Sequence, residues 1–338
     1  MKQAKHYQSD FQGKRGIVQC RLCPRLCVLE DGQSGFCNVR QNMKGKLYSL
    51  VYGKAAAVNV DPIEKKPLFH FLPGSKVFSF GTIGCNLRCR HCQNWEITQV
   101  KPGECPEEDL SPEDAVSAAI ASGSKSVAAT YNEPTIFFEY MLDTFKLARK
   151  KSLRTVAVTN GFMCKEPIEE LAPFVDAVNV DIKGFTQDFY GKVTSARLQP
   201  VLDAIALWKK KGVWLELTNL VIPGHNDDPK EVETMCKWIL DNLGPDVPLH
   251  FTAFFPMNKM LDVPPTKPET LFSFRELAKK QGLHHAYVGN VRSGEGEHTI
   301  CPSCGKAVIR RKGYVILENA LKQGKCPGCG IKVAGLWS

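Results

Sequence analysis

Apolar and polar positions along the chain follow two different periods. Short runs rich in Val, Ile, Leu, Phe and Thr stand at 77–82, 126–130, 155–159, 177–181, 213–220 and 249–255. Continuous apolar runs of this length predict strands buried on both faces, as in a parallel sheet. The segments between them have helical spacing. Ser111-Pro112-Glu113-Asp114 supplies a capping serine, a proline at the first helical position and an acid three residues on. Asp228-Pro229 opens a second helix, in which Val232, Met235, Cys236, Ile239 and Leu243 share one face. Gly212 ends the helix that carries Leu207 and Trp208. Repeated strand–helix units predict an α/β fold, and six of them predict a partial (β/α)6-type TIM barrel.

The ends of the chain differ from its middle. Residues 1–50 are rich in Cys and Gly and nearly aperiodic, which predicts a Cys-rich metal-binding module; 51–297 hold the barrel, and 298–338 form a second small metal module. The stretch 292–297, Arg-Ser-Gly-Glu-Gly-Glu, reads as a linker. With 338 residues and 43% apolar content, one barrel-sized core fits the length. No apolar run is long enough for a membrane span or a signal peptide, so a cytoplasmic protein is expected. Fourteen cysteines in such a compartment point to metal rather than disulfides. The net charge of +9 sits at the ends: nine Lys/Arg against three Asp/Glu in 1–50, and seven against one in 298–338. Basic ends suit an acidic partner, RNA included, although solvation alone also explains them.

Three groups of cysteines carry the chemistry. Cys85, Cys89 and Cys92 give C-x3-C-x2-C directly after the first apolar run of the barrel. Three thiolates on so short a loop can wrap one face of a [4Fe–4S] cubane and leave the fourth iron open to a substrate or cosubstrate. The alternative is a zinc site completed by Cys105 or His91. Cys301, Cys304, Cys326 and Cys329 form two C-x2-C knuckles, each followed by glycine, the pattern of a zinc ribbon whose folding energy comes from the metal. Cys20, Cys23, Cys27 and Cys37 offer four closed thiolates, which suit zinc, and an auxiliary Fe–S cluster fits the same count. Cys236 lies on a buried helical stripe and Cys105 outside any cluster, while Cys164, four residues after Asn160, and His225 are left open.

The C-x3-C-x2-C loop resembles the signature of the radical SAM superfamily. Three longer stretches narrow that resemblance: 61–70 (Asp-Pro-Ile-Glu-Lys-Lys-Pro-Leu-Phe-His), 89–95 (Cys-Arg-His-Cys-Gln-Asn-Trp) and 131–134 (Tyr-Asn-Glu-Pro). With the early Cys-Arg-Leu-Cys-Pro-Arg-Leu-Cys, they are similar to the radical SAM component of the AmmeMemoRadiSam system, a group related to pyruvate formate-lyase activating enzymes. The resemblance implies a [4Fe–4S] cluster whose open iron chelates S-adenosylmethionine. Reductive cleavage then gives methionine and a 5′-deoxyadenosyl radical, which abstracts hydrogen from a protein or peptide, glycyl-radical activation being one form.

It further implies that His91 packs over the adenine and that Glu133 faces the methionyl ammonium, with Tyr131 and Asn132 standing where the family has glycines. Asn160 and Asp181 are placed to meet ribose hydroxyls, and Lys183 shares a strand face with Asp181, in position to pair with it or with a cosubstrate carboxylate. A flavodoxin or ferredoxin reductant is implied, and Memo-like and AMMECR1-like proteins become candidate partners. Competing readings are a radical enzyme acting on RNA or a small molecule, and a non-catalytic Fe–S electron carrier or adaptor.

Overall fold

The computed structural model describes residues 1–291 and 294–338, so Arg292 and Ser293 of the expected linker lie outside the described residues. Two units interleave along the chain. The first comprises Met1–Asp61, Lys76–Val178 and Val193–Val213, and the second Pro62–Ser75, Asn179–Lys192 and Trp214–Ser338.

In the first unit, strands β1 (Ala57–Pro62), β2 (Lys76–Gly81), β3 (Ser126–Ala129), β4 (Arg154–Thr159) and the opening residues of β5 (Ala177–Asp181) neighbour one another in chain order. β3 runs parallel to β2 and to β4, with Ser126 opposite both Val77 and Arg154. All four residues of β3 are buried, so the strand has no polar alternation to show. Helices α1 (Pro112–Ala121), α2 (Phe138–Lys150), α3 (Lys165–Leu171) and α4 (Leu198–Lys210) belong to the same unit. The start of α1 is set by a full capping box: Asp114 N donates to the Ser111 hydroxyl at 3.1 Å, and Ser111 N donates back to the Asp114 carboxylate at 3.3 Å.

Residues 1–50 fold into two small antiparallel sheets in this unit. One joins Tyr7–Gln8, Val18–Cys20 and Val28–Leu29, the other Lys2–Gln3, Arg40–Met43 and Lys46–Ser49. Strands of two to four residues are too short to show a period in the sequence. A buried ion pair ties this module to α2. Arg40 Nη1 and Nη2 donate to the two Glu139 oxygens at 2.8 and 3.0 Å, and both side chains are 2% exposed. Burial works against the Glu139 carboxylate, but Arg40 beside it holds it below the ordinary carboxylate range.

The second unit continues with the rest of β5, β6 (Trp214–Val221), β7 (Leu249–Ala253) and β8 (Ala286–Gly289), again neighbours in chain order and parallel across β6–β7–β8. Helix α5 (Pro229–Leu243) buries the expected stripe of Val232, Met235, Cys236, Ile239 and Leu243, and α6 (Pro268–Gln281) buries Leu271, Phe274 and Ala278. The chain ends in a three-stranded antiparallel sheet of Thr299–Ile300, Ala307–Lys312 and Val315–Asn319. Its core comprises Cys301, Val308, Cys326 and Val333, with Leu321 and Trp337 packed against it.

All six expected strands form. β1 and β8 were not expected; β1 has an exposed middle and a terminal proline, which mask it as a strand. Among the described residues no helix is long and apolar enough to cross a membrane.

Candidate functional site

The loop that leaves β2 carries Cys85, Cys89 and Cys92, and backbone constraints of the first unit fix its path. Gly81 lies so close to β3 that a Cβ there would meet Thr130 O at 2.4 Å. Gly84 takes φ +86°, and its Cβ would meet Cys37 O at 2.5 Å. Only glycine satisfies both the left-handed backbone and the close approach. Further along, Arg88 N and Arg90 N donate to Thr194 O and Val193 O at 3.0 and 2.9 Å. The Arg88 guanidinium turns back and donates through Nη1 to Cys85 O at 2.8 Å and Leu87 O at 2.9 Å.

Side chains from the ends of β3 and β4 complete the support. Tyr131 adopts φ +71°, the conformation a glycine would take, and its hydroxyl donates to Asp61 Oδ2 at 2.7 Å. The turn aims Asn132 at the start of the cysteine loop. Its Oδ1 accepts from Thr82 N at 3.1 Å, and its Nδ2 donates to Thr82 Oγ1 at 3.0 Å and Gly84 O at 2.9 Å.

Glu133 is 1% exposed and folds onto its own chain. Its Oε1 accepts from Thr135 N at 2.9 Å, Thr135 Oγ1 at 2.5 Å and Thr159 Oγ1 at 2.7 Å, and its Oε2 accepts from Asn160 N at 2.7 Å. Burial raises its carboxyl above the ordinary value, and these donors oppose the rise. Asn160 in turn donates through Nδ2 to Asn86 Oδ1 at 2.9 Å and faces Cys85 Sγ at 3.9 Å, while Asn86 Nδ2 donates to Phe162 O at 2.8 Å. Asn132, Glu133 and Asn160 therefore brace the loop with most of their polar capacity; among the described residues Glu133 Oε2 accepts one hydrogen bond, from Asn160 N, and keeps a second lone pair.

The thiols themselves sit in this frame. Leu87 N donates to Cys85 Sγ at 3.4 Å, and Cys92 Sγ lies 3.2 Å from Thr98 Oγ1. Burial first, then the nearby Glu133 charge and Cys89, push the Cys85 thiol well above its ordinary value. His91 is buried in the same loop at 4% exposure. Among the described residues, Cys85, Cys89 and Cys92 are not a group of ligand atoms within 4.8 Å of one another.

The profile of the Radical SAM superfamily matches residues 80–239, from the end of β2 into α5. The uncharacterized protein MJ0808 of Methanocaldococcus jannaschii is 44% identical over 98% of this chain and 99% of its own. The chain belongs to the radical SAM superfamily. Pyruvate formate-lyase 1-activating enzyme of Escherichia coli is a more distant relative, 26% identical over 50% of this chain and 70% of its own. The fold is shared with a radical SAM methyltransferase from Sphaerobacter thermophilus, with a TM-score of 0.53 and 14% identity over 67% of this chain and 70% of that one.

Radical SAM proteins carry a [4Fe–4S] cluster and S-adenosylmethionine, and the donor set of the loop fits the cluster: three thiols on one short loop whose backbone is held from several sides. In the second unit of this radical SAM protein, Lys183 Nζ donates to Asp181 Oδ2 at 2.9 Å, so these two residues pair with each other. Asn226 anchors the loop after β6, with Ile222 N donating to its Oδ1 at 2.6 Å and its Nδ2 donating to Lys183 O at 2.7 Å, while the neighbouring His225 is exposed. Cys164 N donates to Leu22 O at 3.1 Å, and burial pushes its thiol up to about 12. Cys105 donates weakly to Pro106 O at 3.6 Å, and Cys236 is buried on α5.

Sequence reasoning missed Asn86, Arg25, whose Nε donates to Asn86 O at 3.0 Å, and the Arg40–Glu139 pair. Asn86 had one signal, its position directly after the first loop cysteine; the others act across distances in sequence that no local pattern shows.

At the C-terminus, Cys301, Cys304, Cys326 and Cys329 bring their sulfurs within 4.8 Å of one another and can hold a metal ion. Cys301–Cys329 and Cys304–Cys326 are each 3.6 Å apart, close to the separation a tetrahedral ion imposes. The two knuckles repeat one geometry: Gly305 N donates to Cys301 O at 3.0 Å, and Gly330 N to Cys326 O at 2.9 Å.

Proposed function

We propose that this protein is a radical SAM enzyme that acts on a protein or peptide. In this reading Cys85, Cys89 and Cys92 ligate three irons of a [4Fe–4S] cluster and leave the fourth for S-adenosylmethionine. The bound pair supplies a one-electron cleavage of the sulfonium C–S bond, giving methionine and a 5′-deoxyadenosyl radical that takes hydrogen from the substrate. The observation that carries the reading is the loop itself, three cysteines in C-x3-C-x2-C spacing inside the matched family region, with its start bolted by Asn132.

The chain's own residues then have separate tasks. Asn132 and the Asn86–Asn160 pair hold the thiols in register. The open lone pair of Glu133 is an acceptor for the methionyl ammonium, a charge-assisted hydrogen bond in a site that excludes water. His91 supplies a flat buried ring for the adenine. A flavodoxin or ferredoxin would supply the electron. The C-terminal quartet holds a structural zinc, because four closed thiolates leave no position for a substrate. The relative named as an activating enzyme of pyruvate formate-lyase supports a protein substrate, and glycyl-radical formation is the form of hydrogen abstraction it suggests.

Anaerobically reconstituted protein given dithionite and S-adenosylmethionine is expected to release 5′-deoxyadenosine, and Cys89→Ala to release none. Parent protein that retains its iron and releases no 5′-deoxyadenosine would point to an electron carrier instead.

A further inference from the structure

The second unit contains a cavity of about 430 Å3, a volume typical of sites for small molecules. Five of its lining side chains are basic: Arg275 and Lys279 of α6, His284 and His285 ahead of β8, and His298 ahead of the C-terminal sheet. Among the described residues, no Asp or Glu lines it. The cavity lies at the N-terminal end of β8, whereas barrel enzymes keep their chemistry at the C-terminal ends of their strands.

His285 is the residue that calls for a ligand. It is 2% exposed, it lines the cavity, and neither ring nitrogen has a partner among the described residues. Buried polar groups are satisfied in folded proteins, so two unmet ring nitrogens at a cavity wall need an occupant. Burial lowers the imidazole to about 4, so at neutral pH one nitrogen donates and the other accepts.

The neighbours are held ready to donate. Arg275 Nε donates to Ala286 O at 3.1 Å, which fixes the guanidinium against β8, and the side chain is 12% exposed. Its Nη1 donates to Glu276, and its Nη2 has no partner among the described residues. Lys279, one turn on, pairs with the same carboxylate at 3.2 Å. Glu276 is exposed and off the cavity wall, so water screens its hold on both cations. Arg311 N donates to His298 Nδ1 at 3.2 Å, which leaves Nε2 to carry the proton of the neutral ring as a further donor. His284 donates through Nδ1 to Asp246 at 2.8 Å. A metal ion does not fit, because no three ligating atoms of these residues come within 4.8 Å of one another.

We infer that this cavity binds the phosphate group of a small phosphorylated molecule. A phosphate monoester carries close to two negative charges and three oxygens that point in different directions. The donors here arrive from a helix, from the loop before β8 and from the start of the C-terminal sheet, which suits those three oxygens. A carboxylate, planar and singly charged, would leave most of them unused. The body of the ester has the rest of the cavity, beside Leu283, Ile300 and Pro302. Cys301 also borders the cavity, so the zinc-loaded protein is the form to test. The site does not rest on the function proposed above.

The test is isothermal titration of the full chain, anaerobically reconstituted, zinc-loaded and saturated with S-adenosylmethionine. The probes are ribose 5-phosphate, inorganic phosphate, sulfate and ribose. Ribose 5-phosphate is expected to bind at one site per chain, more tightly than phosphate or sulfate, and ribose not to bind. Arg275→Gln should weaken it roughly tenfold or more, the loss of a charge-assisted hydrogen bond. Ribose 5-phosphate that binds no better than sulfate would mean an adventitious ion only and would overturn the inference. Absence of binding would do the same, as would the parent's affinity in an Arg275→Gln protein that melts as the parent does. Should Arg275→Gln not fold, undiminished affinity in Lys279→Gln would overturn it equally. Parent protein that binds ribose 5-phosphate and releases no 5′-deoxyadenosine would contradict the proposed function and leave this site standing.

Discussion

Asn132 commits both ends of its amide to the backbone ahead of Cys85, so the path of the cysteine loop depends on one side chain. Replacing it with alanine strands Thr82 N and the carbonyl of Gly84. An unmet buried group of this kind costs about 1–3 kcal/mol. Asn132→Ala is therefore expected to lose loop iron to a chelator several-fold faster than the parent, followed by the decay of cluster absorption. An unchanged rate would show that the loop holds itself. The sequence made Asn132 and Glu133 visible as polar residues beside the cysteines, but not their direction. That direction comes from the left-handed backbone of Tyr131, a conformation that a tyrosine does not announce, and from Glu133 capping its own following turn. The cysteines were legible because a metal demands their spacing.

At the scale of elements, the buried parallel strands could be read directly, since burial on both faces leaves a continuous apolar run. β8 could not, its three apolar residues lying between His285 and Gly289. It follows His285, which is 2% exposed and has neither ring nitrogen partnered among the described residues. Burial holds this imidazole down to about 4; Asp246 and Glu216 favour its charge, and His284 opposes it. A folded value below the unfolded one, about 6.5, means that the unfolded chain binds the extra proton between those two values. Stability is then full above about 6.5 and falls with acidification towards about 4, by roughly 2 kcal/mol at pH 5. His70, buried and lowered in the same way, adds to the same slope. Urea unfolding at pH 7 and pH 5 should show the loss in the parent and a smaller one in His285→Phe. Equal losses in the two would remove His285 from the account.

For the whole molecule, the three groups of cysteines differ in geometry. The C-terminal sulfurs meet around a point, the N-terminal cysteines line a small pocket, and the loop between them offers three thiols. Count and spacing in the sequence located all three groups. They could not say which set closes, since that depends on contacts such as Arg40–Glu139, whose partners lie 99 residues apart. The most direct test of the central claim, an iron site open to S-adenosylmethionine at Cys85, Cys89 and Cys92, is electron paramagnetic resonance of the dithionite-reduced Cys20→Ser/Cys23→Ser variant. A cubane signal that changes when S-adenosylmethionine is added is the expected result. A cubane signal indifferent to S-adenosylmethionine, or no iron in the loop of a folded protein, would contradict it.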